Sequence, residues 1–103
     1  MNEYELTIFK IISSSGDARG DAFEALRLAR LGDFIAAENK MNEAKEKSLE
    51  AHSAQTQLIT EEINGNKQDI SLLMVHAQDH LMTSLLARDL IEEMIEMLKE
   101  KRI

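Results

Sequence analysis

The sequence predicts an all-α fold, a single domain of three antiparallel helices spanning residues 1–103, and three observations predict it. The 103 residues include no proline, four glycines, one tyrosine and three phenylalanines, a composition suited to a helical bundle rather than a sheet. Apolar residues recur at spacings of three and four along three long segments, the period of a helix face. Two breaks, Gly32-Asp33 and Asn64-Gly65, divide these segments with residues that favour helix ends and turns.

The first helix is expected over about residues 2–31. Leu6, Phe9, Ile12 or Ser13, Gly16, Gly20, Phe23, Leu26 or Arg27, and Arg30 trace one face. Gly16 and Gly20 each cost roughly 1 kcal/mol relative to alanine inside a helix. Either the helix bends at Ser13, Ser14, Ser15 and Gly16, or another backbone approaches closely there. Gly32 suits a position just past a helix end, and Asp33 an N-cap, so a tight helical hairpin follows.

The second helix is expected over about residues 34–63. It carries Phe34, Ala37, Met41, Ala44, Ser48, Ala51, Gln55 and Leu58 on a near-heptad stripe. The opposite face, with Glu38, Lys40, Glu43, Lys45, Glu46, Lys47 and Glu50, reads as a solvated one. His52, Gln55 and Thr56 lie close to the inward positions, with His52 read as a hydrogen-bonded flank residue. After a polar break from Asn64 to Asp69, the third helix runs over about residues 69–101 with Asp69 as its N-cap.

A net charge of −7 disfavours nucleic-acid binding, which depends on Lys and Arg neutralising phosphates. The absence of cysteine removes disulfides and thiolate metal sites. MNEYELTIFK is acidic and has no uninterrupted apolar core, and no segment approaches membrane-spanning length. The expectation is a cytoplasmic protein with no direct membrane insertion.

The chemistry concentrates at Val75 to Met82, VHAQDHLM. Residues four apart share a helix face, so His76 and His80 lie together with Asp79 at the edge. The surrounding Ile70, Leu72, Leu73, Met74, Val75, Leu81, Met82, Leu85 and Leu86 predict partial shielding of these polar groups, which must then be paired or used.

The third helix is apolar on two sides. One stripe is Ile70, Leu73, Ala77, Leu81, Ser84, Leu85, Arg88, Ile91, Ile95 and Leu98; the other is Leu72, Val75, Asp79, Met82, Leu86, Leu90, Met94 and Met97. A three-helix monomer needs one buried stripe, so the second implies an oligomer with Asp79 in its interface. Symmetry would bring copies of Asp79 together. They would require a shared proton or a cation, magnesium or calcium by their oxygen donors, or else satisfaction by a neighbouring side chain or water.

Three readings of the histidines stand side by side. As zinc ligands they have helical i, i+4 spacing, but a hydrolase needs a third ligand, and His52 is the only other histidine. As a nucleophile, a neutral imidazole can accept a phosphoryl group, with the second imidazole or Gln78 orienting it. As structural groups, both rings are packed and satisfied, and spacing alone favours this.

The blocks SGDARGDAFEAL (Ser15 to Leu26), LGDF (Leu31 to Phe34), AHSAQTQLI (Ala51 to Ile59) and SLLMVHAQDHLMTSLLARDLI (Ser71 to Ile91) resemble the enzyme IIA component of the lactose/cellobiose (N,N′-diacetylchitobiose) branch of the bacterial phosphoenolpyruvate-dependent sugar phosphotransferase system. The resemblance implies a homotrimer with a nine-helix bundle. It implies that His76 is the phosphorylated nucleophile, a tele-phosphohistidine, receiving its phosphoryl group from the phosphocarrier protein HPr and passing it to a cysteine of the cognate enzyme IIB. It further implies that Asp79 sits at the trimer axis, shared between subunits, with one structural Mg2+ per trimer. His80 is then the expected hydrogen-bonding partner of the phosphoryl group and Gln78 an orienting residue. Gly20 and Asp21 depart from the family pattern, which bears on the continuity of the first helix. A non-catalytic helical adaptor and a His/Asp metal-dependent hydrolase are the competing functions.

Overall fold

The computed structural model describes residues 1–101 and residue 103. It contains three helices, α1 (Glu3–Arg30), α2 (Phe34–Ile63) and α3 (Leu72–Lys99), and no strand among the described residues. They pack as a rod of 50 × 22 × 20 Å.

Local signals account for the ends. Asn2 caps α1 reciprocally: its side chain accepts from the Glu5 amide at 2.8 Å, and its own amide donates to the Glu5 carboxylate at 3.3 Å. At the other end Gly32, with φ 85°, donates to the Ala29 carbonyl while Asp33 donates to that of Leu28. This paired closure satisfies carbonyls that a helix end would leave open. Gly65, with φ 90°, repeats it: Gly65 donates to Glu62 and Asn66 to Glu61.

Asp33 caps α2 by accepting from the Ala36 amide at 3.1 Å. Asp69 does not cap α3. Ser71 does, its extended backbone bringing its hydroxyl to accept from the Met74 amide at 3.1 Å. The Asp69 carbonyl instead accepts from the Tyr4 hydroxyl at 3.2 Å, and Ile70, expected on the inward stripe, precedes the helix and is exposed.

The α1 face is also corrected. Leu6, Phe9 and Phe23, expected inside, are exposed, and the buried face is Ile8, Ile11, Ser14, Ser15, Ala18, Ala22, Ala25 and Ala29. Small side chains set short distances between helices, so the alanine-rich face turns inward and the bulky residues remain outside. α1 runs unbroken through Gly16 and Gly20. Packing on both sides of the glycines supplies what helix propensity lacks, and Asp21 joins α1 to α2 through Lys47 at 2.6 Å.

The inward stripes of α2 and α3 do pack. Ala37, Met41, Ala44, Ser48 and Ala51 are buried on α2, and Ala77, Leu81, Ser84, Ile91 and Ile95 on α3. The core falls into two clusters. Ala22, Ala25, Ala29, Ala37, Met41, Ala44, Ile91 and Ile95 form the first; Ile8, Ile11, Ala51, Ala54, Ala77 and Leu81 form the second. Ser15, Ser48 and Ser84 fall between them along their helices, buried and without a hydrogen-bond partner for their hydroxyls among the described residues.

Candidate functional site

The site stands on the second cluster. Ala77 and Leu81, both fully buried, anchor α3, which leaves the neighbouring His76, Asp79 and His80 on the outer and flanking faces. His76 and Asp79 are exposed and His80 is half-buried. The shielding expected from the apolar neighbours is therefore absent within one chain. Val75, Met82 and Leu86 are themselves exposed and cover nothing.

The two imidazoles stack, with ring centroids 5.6 Å apart and planes inclined by 16°. This follows from i, i+4 spacing on a helix. His80 lies against α1: its Nε2 is 3.2 Å from the position that a Cβ on Gly16 would occupy. Gly16 thus allows a close approach, as the sequence suggested, but the approaching group is an imidazole and not a backbone. Burial holds the His80 pKa below the ordinary 6.5, reinforced by the Arg19 guanidinium and the neighbouring His76 ring and opposed by Asp79. Neutral His80 keeps one ring N–H available as a donor.

Gln78 points its hydrogen bonds elsewhere. Its carbonyl accepts from the Gln55 amide of α2, and its own amide donates to the Met74 sulfur at 3.4 Å. Residues two apart stand about 200° around a helix, so Gln78 and His76 lie on different faces. Gln55 is half-buried, as its near-inward position suggested, while His52 and Thr56 are exposed. His52 shares a groove with Lys45, Ser48, Leu49, Leu85, Arg88 and Asp89, away from His76. Arg88 donates to the adjacent Asp89 at 3.0 Å.

The Asp79 carboxylate accepts no hydrogen bond and makes no ion pair within the chain among the described residues. It lies in a stripe of exposed apolar side chains: Leu72, Val75, Met82, Leu86, Leu90, Met94 and Met97. No set of three or more His, Asp or Glu side chains able to hold a metal comes together among the described residues, so His52 does not complete the hydrolase site. No helix is long and apolar enough to cross a membrane among the described residues.

Two residues near the histidines escaped the site reading: Gly16, flagged only as a helix anomaly, and Arg19. Both lie in the SGDARGDAFEAL block, yet only the packing of α1 on α3 brings them to His80.

Residues 6–99 match the family model described as PTS system, lactose/cellobiose specific IIA subunit. The chain is 47% identical over 95 residues to the N,N′-diacetylchitobiose-specific EIIA component of Escherichia coli K12, covering 92% of this chain and 82% of the relative. It superposes on the cellobiose-specific enzyme IIA of Bacillus anthracis with TM-score 0.93 and 43% identity, over 97% of this chain and 92% of that one. It also superposes on a structure of the IIA(chitobiose)–HPr complex of the E. coli phosphotransferase system, with TM-score 0.84 and 43% identity over 100% of both chains. With its three-helix fold and its paired histidines on α3, the chain belongs to the lactose/cellobiose-specific IIA family of the sugar phosphotransferase system.

Proposed function

We propose that this chain is a phosphoryl carrier in which His76 receives a phosphoryl group from the phosphohistidine of HPr and delivers it to a cysteine of the cognate enzyme IIB, during uptake of a lactose-, cellobiose- or chitobiose-type disaccharide. The observation that carries the reading is the exposed His76 imidazole, backed by the parallel ring of His80. Membership of the IIA family, and the likeness to a IIA solved with HPr, support HPr as the donor.

In the first step Nε2 of neutral His76 attacks the phosphorus in line. A new N–P bond forms as the N–P bond in HPr breaks; the other nitrogen of His76 releases its proton while the HPr imidazole regains one. In the second step the enzyme IIB cysteine sulfur, its thiol proton released, attacks the same phosphorus; an S–P bond forms, the His76 N–P bond breaks and the departing imidazole regains a proton. Such transfers depend mainly on positioning and on stabilising charge at the transferring oxygens. His80 donates its N–H to a phosphoryl oxygen. Gln78 acts at one remove, as a positioning residue that ties α3 to Gln55 of α2.

The working unit is a homotrimer closed over the exposed α3 stripe. Its symmetry brings three Asp79 carboxylates together. Their oxygen donors and lack of other partners fit one Mg2+ per trimer, whose contribution when bound is structural charge neutralisation. Asp79 holds the ion; His76 and His80 stand on the neighbouring face.

The test is a chase. The protein is loaded with labelled phosphoryl from phosphoenolpyruvate, enzyme I and HPr, freed of those components and mixed with its enzyme IIB. Movement of label to enzyme IIB, and its loss when the IIB cysteine is replaced by serine, is the expected result. Label that stays on the loaded protein would exclude the relay to enzyme IIB, whereas a protein that takes up no label at all would leave the adaptor reading.

A further inference from the structure

The phosphoryl group brings nearly two negative charges to a chain that already carries −7, and the stretch of α3 around the histidines holds no cation to offset them. No lysine or arginine lies between Leu72 and Ala87, nor between Leu49 and Ile63 on α2. On the facing helix, α1, Lys10 and Arg19 stand near the site's level. Lys10 lines the opposite groove with Glu46 and Glu50, and by helical rotation stands about 120° from Gly16. Arg19 is one turn beyond Gly16 and only about 60° around the helix from it. Gly16 is the point at which the His80 ring lies against α1: a Cβ there would stand 3.2 Å from His80 Nε2.

Arg19 is exposed and forms no hydrogen bond or ion pair among the described residues. The neighbouring cross-helix position is filled differently: Asp21 engages Lys47 at 2.6 Å and Lys40 at 3.8 Å. Arg19 is thus an uncommitted cation on the α1 side of the histidine pair, one turn from the place where His80 lies against α1.

Resting on the carrier reading, we propose that the Arg19 guanidinium binds the phosphoryl group carried by His76, working with the His80 N–H across the groove between α1 and α3. A guanidinium presents a planar fork of donors matched to phosphoryl oxygens. Gly16 is part of the same arrangement, since a side chain there would press on the His80 ring and widen the groove. Binding is stronger to the phosphorylated form than to the free imidazole, so Arg19 sets how far the transfer from HPr runs.

The experiment measures the equilibrium between phospho-HPr and this protein by intact mass, for wild type, Arg19→Gln and Arg19→Lys, with circular dichroism and native mass as checks of fold and assembly. Arg19→Gln should move the equilibrium about tenfold towards phospho-HPr, the scale of one charge-assisted contact. Arg19→Lys, which keeps the charge without the fork, should recover part of that shift. A wild type that is phosphorylated and an Arg19→Gln variant with the same equilibrium would overturn the Arg19 assignment alone. A wild type that takes up no phosphoryl group would instead remove the carrier reading beneath it.

Discussion

At the scale of single residues, Gly16 and Gly20 separate site from scaffold. A Cβ on Gly20 meets nothing within 4 Å, whereas one on Gly16 meets His80 Nε2 at 3.2 Å. Gly20→Ala should therefore stabilise the protein by roughly 1 kcal/mol, a rise of about 4–8 °C in Tm, without altering transfer. Gly16→Ala should gain less, because the helical benefit is offset by the displaced imidazole, and should slow phosphoryl uptake on the order of tenfold through misplacement of the stack. Thermal melts and rapid-mixing phosphorylation read both; equal uptake rates in the two variants would remove Gly16 from the site. His80 gives a second residue-scale expectation. Its folded pKa lies below the unfolded 6.5, chiefly through burial, so the unfolded chain binds more protons across that window. Stability is then fully present above pH 6.5 and declines as pH falls through the folded value. Denaturant melts of His80→Gln should lack this part of the acid slope, and an unchanged slope would assign it to other groups.

At the scale of the element, α3 serves two surfaces. Its inward stripe fills the core, while Leu86 is 59% exposed and Met82 55% in the isolated chain. Leu86→Glu places three charges in the proposed assembly interface, so the native mass should fall from three times the 11.7 kDa chain to one. The helical circular dichroism should largely remain, because the core of the single chain is untouched. A variant still three chains strong would place the interface elsewhere. Chelation tests the proposed axial ion on the same surface: removing divalent cations should lower the Tm of wild type and leave Asp79→Asn nearly unaffected.

At the scale of the whole molecule, the three-helix architecture was legible in the sequence because its signals are local. Gly32 and Gly65 with positive φ, Asp33 as a cap, and the stripes of α2 and α3 all act over a few residues. The face of α1 was not legible: hydrophobic size pointed to Phe9 and Phe23, while close helix packing selected Ala18, Ala22, Ala25 and Ala29. Asp69 likewise looked like a cap until Ser71, two residues on, supplied one. The histidine pair could be read from spacing, since i, i+4 residues stack on any helix. The approach of Gly16 and Arg19 could not, because it arises from the packing of α1 on α3, between residues more than sixty positions apart. Shielding of His76 was expected from sequence neighbours, yet those neighbours point outward in the single chain.

The central claim is that His76 carries the phosphoryl group, and intact mass tests it most directly. Wild type and His76→Ala are each incubated with phosphoenolpyruvate, enzyme I and HPr. Wild type should gain about 80 Da, one phosphoryl group per chain, and His76→Ala should gain nothing. An equal gain in both proteins would place the phosphoryl group on another residue, and no gain in wild type with active partners would contradict the carrier function itself.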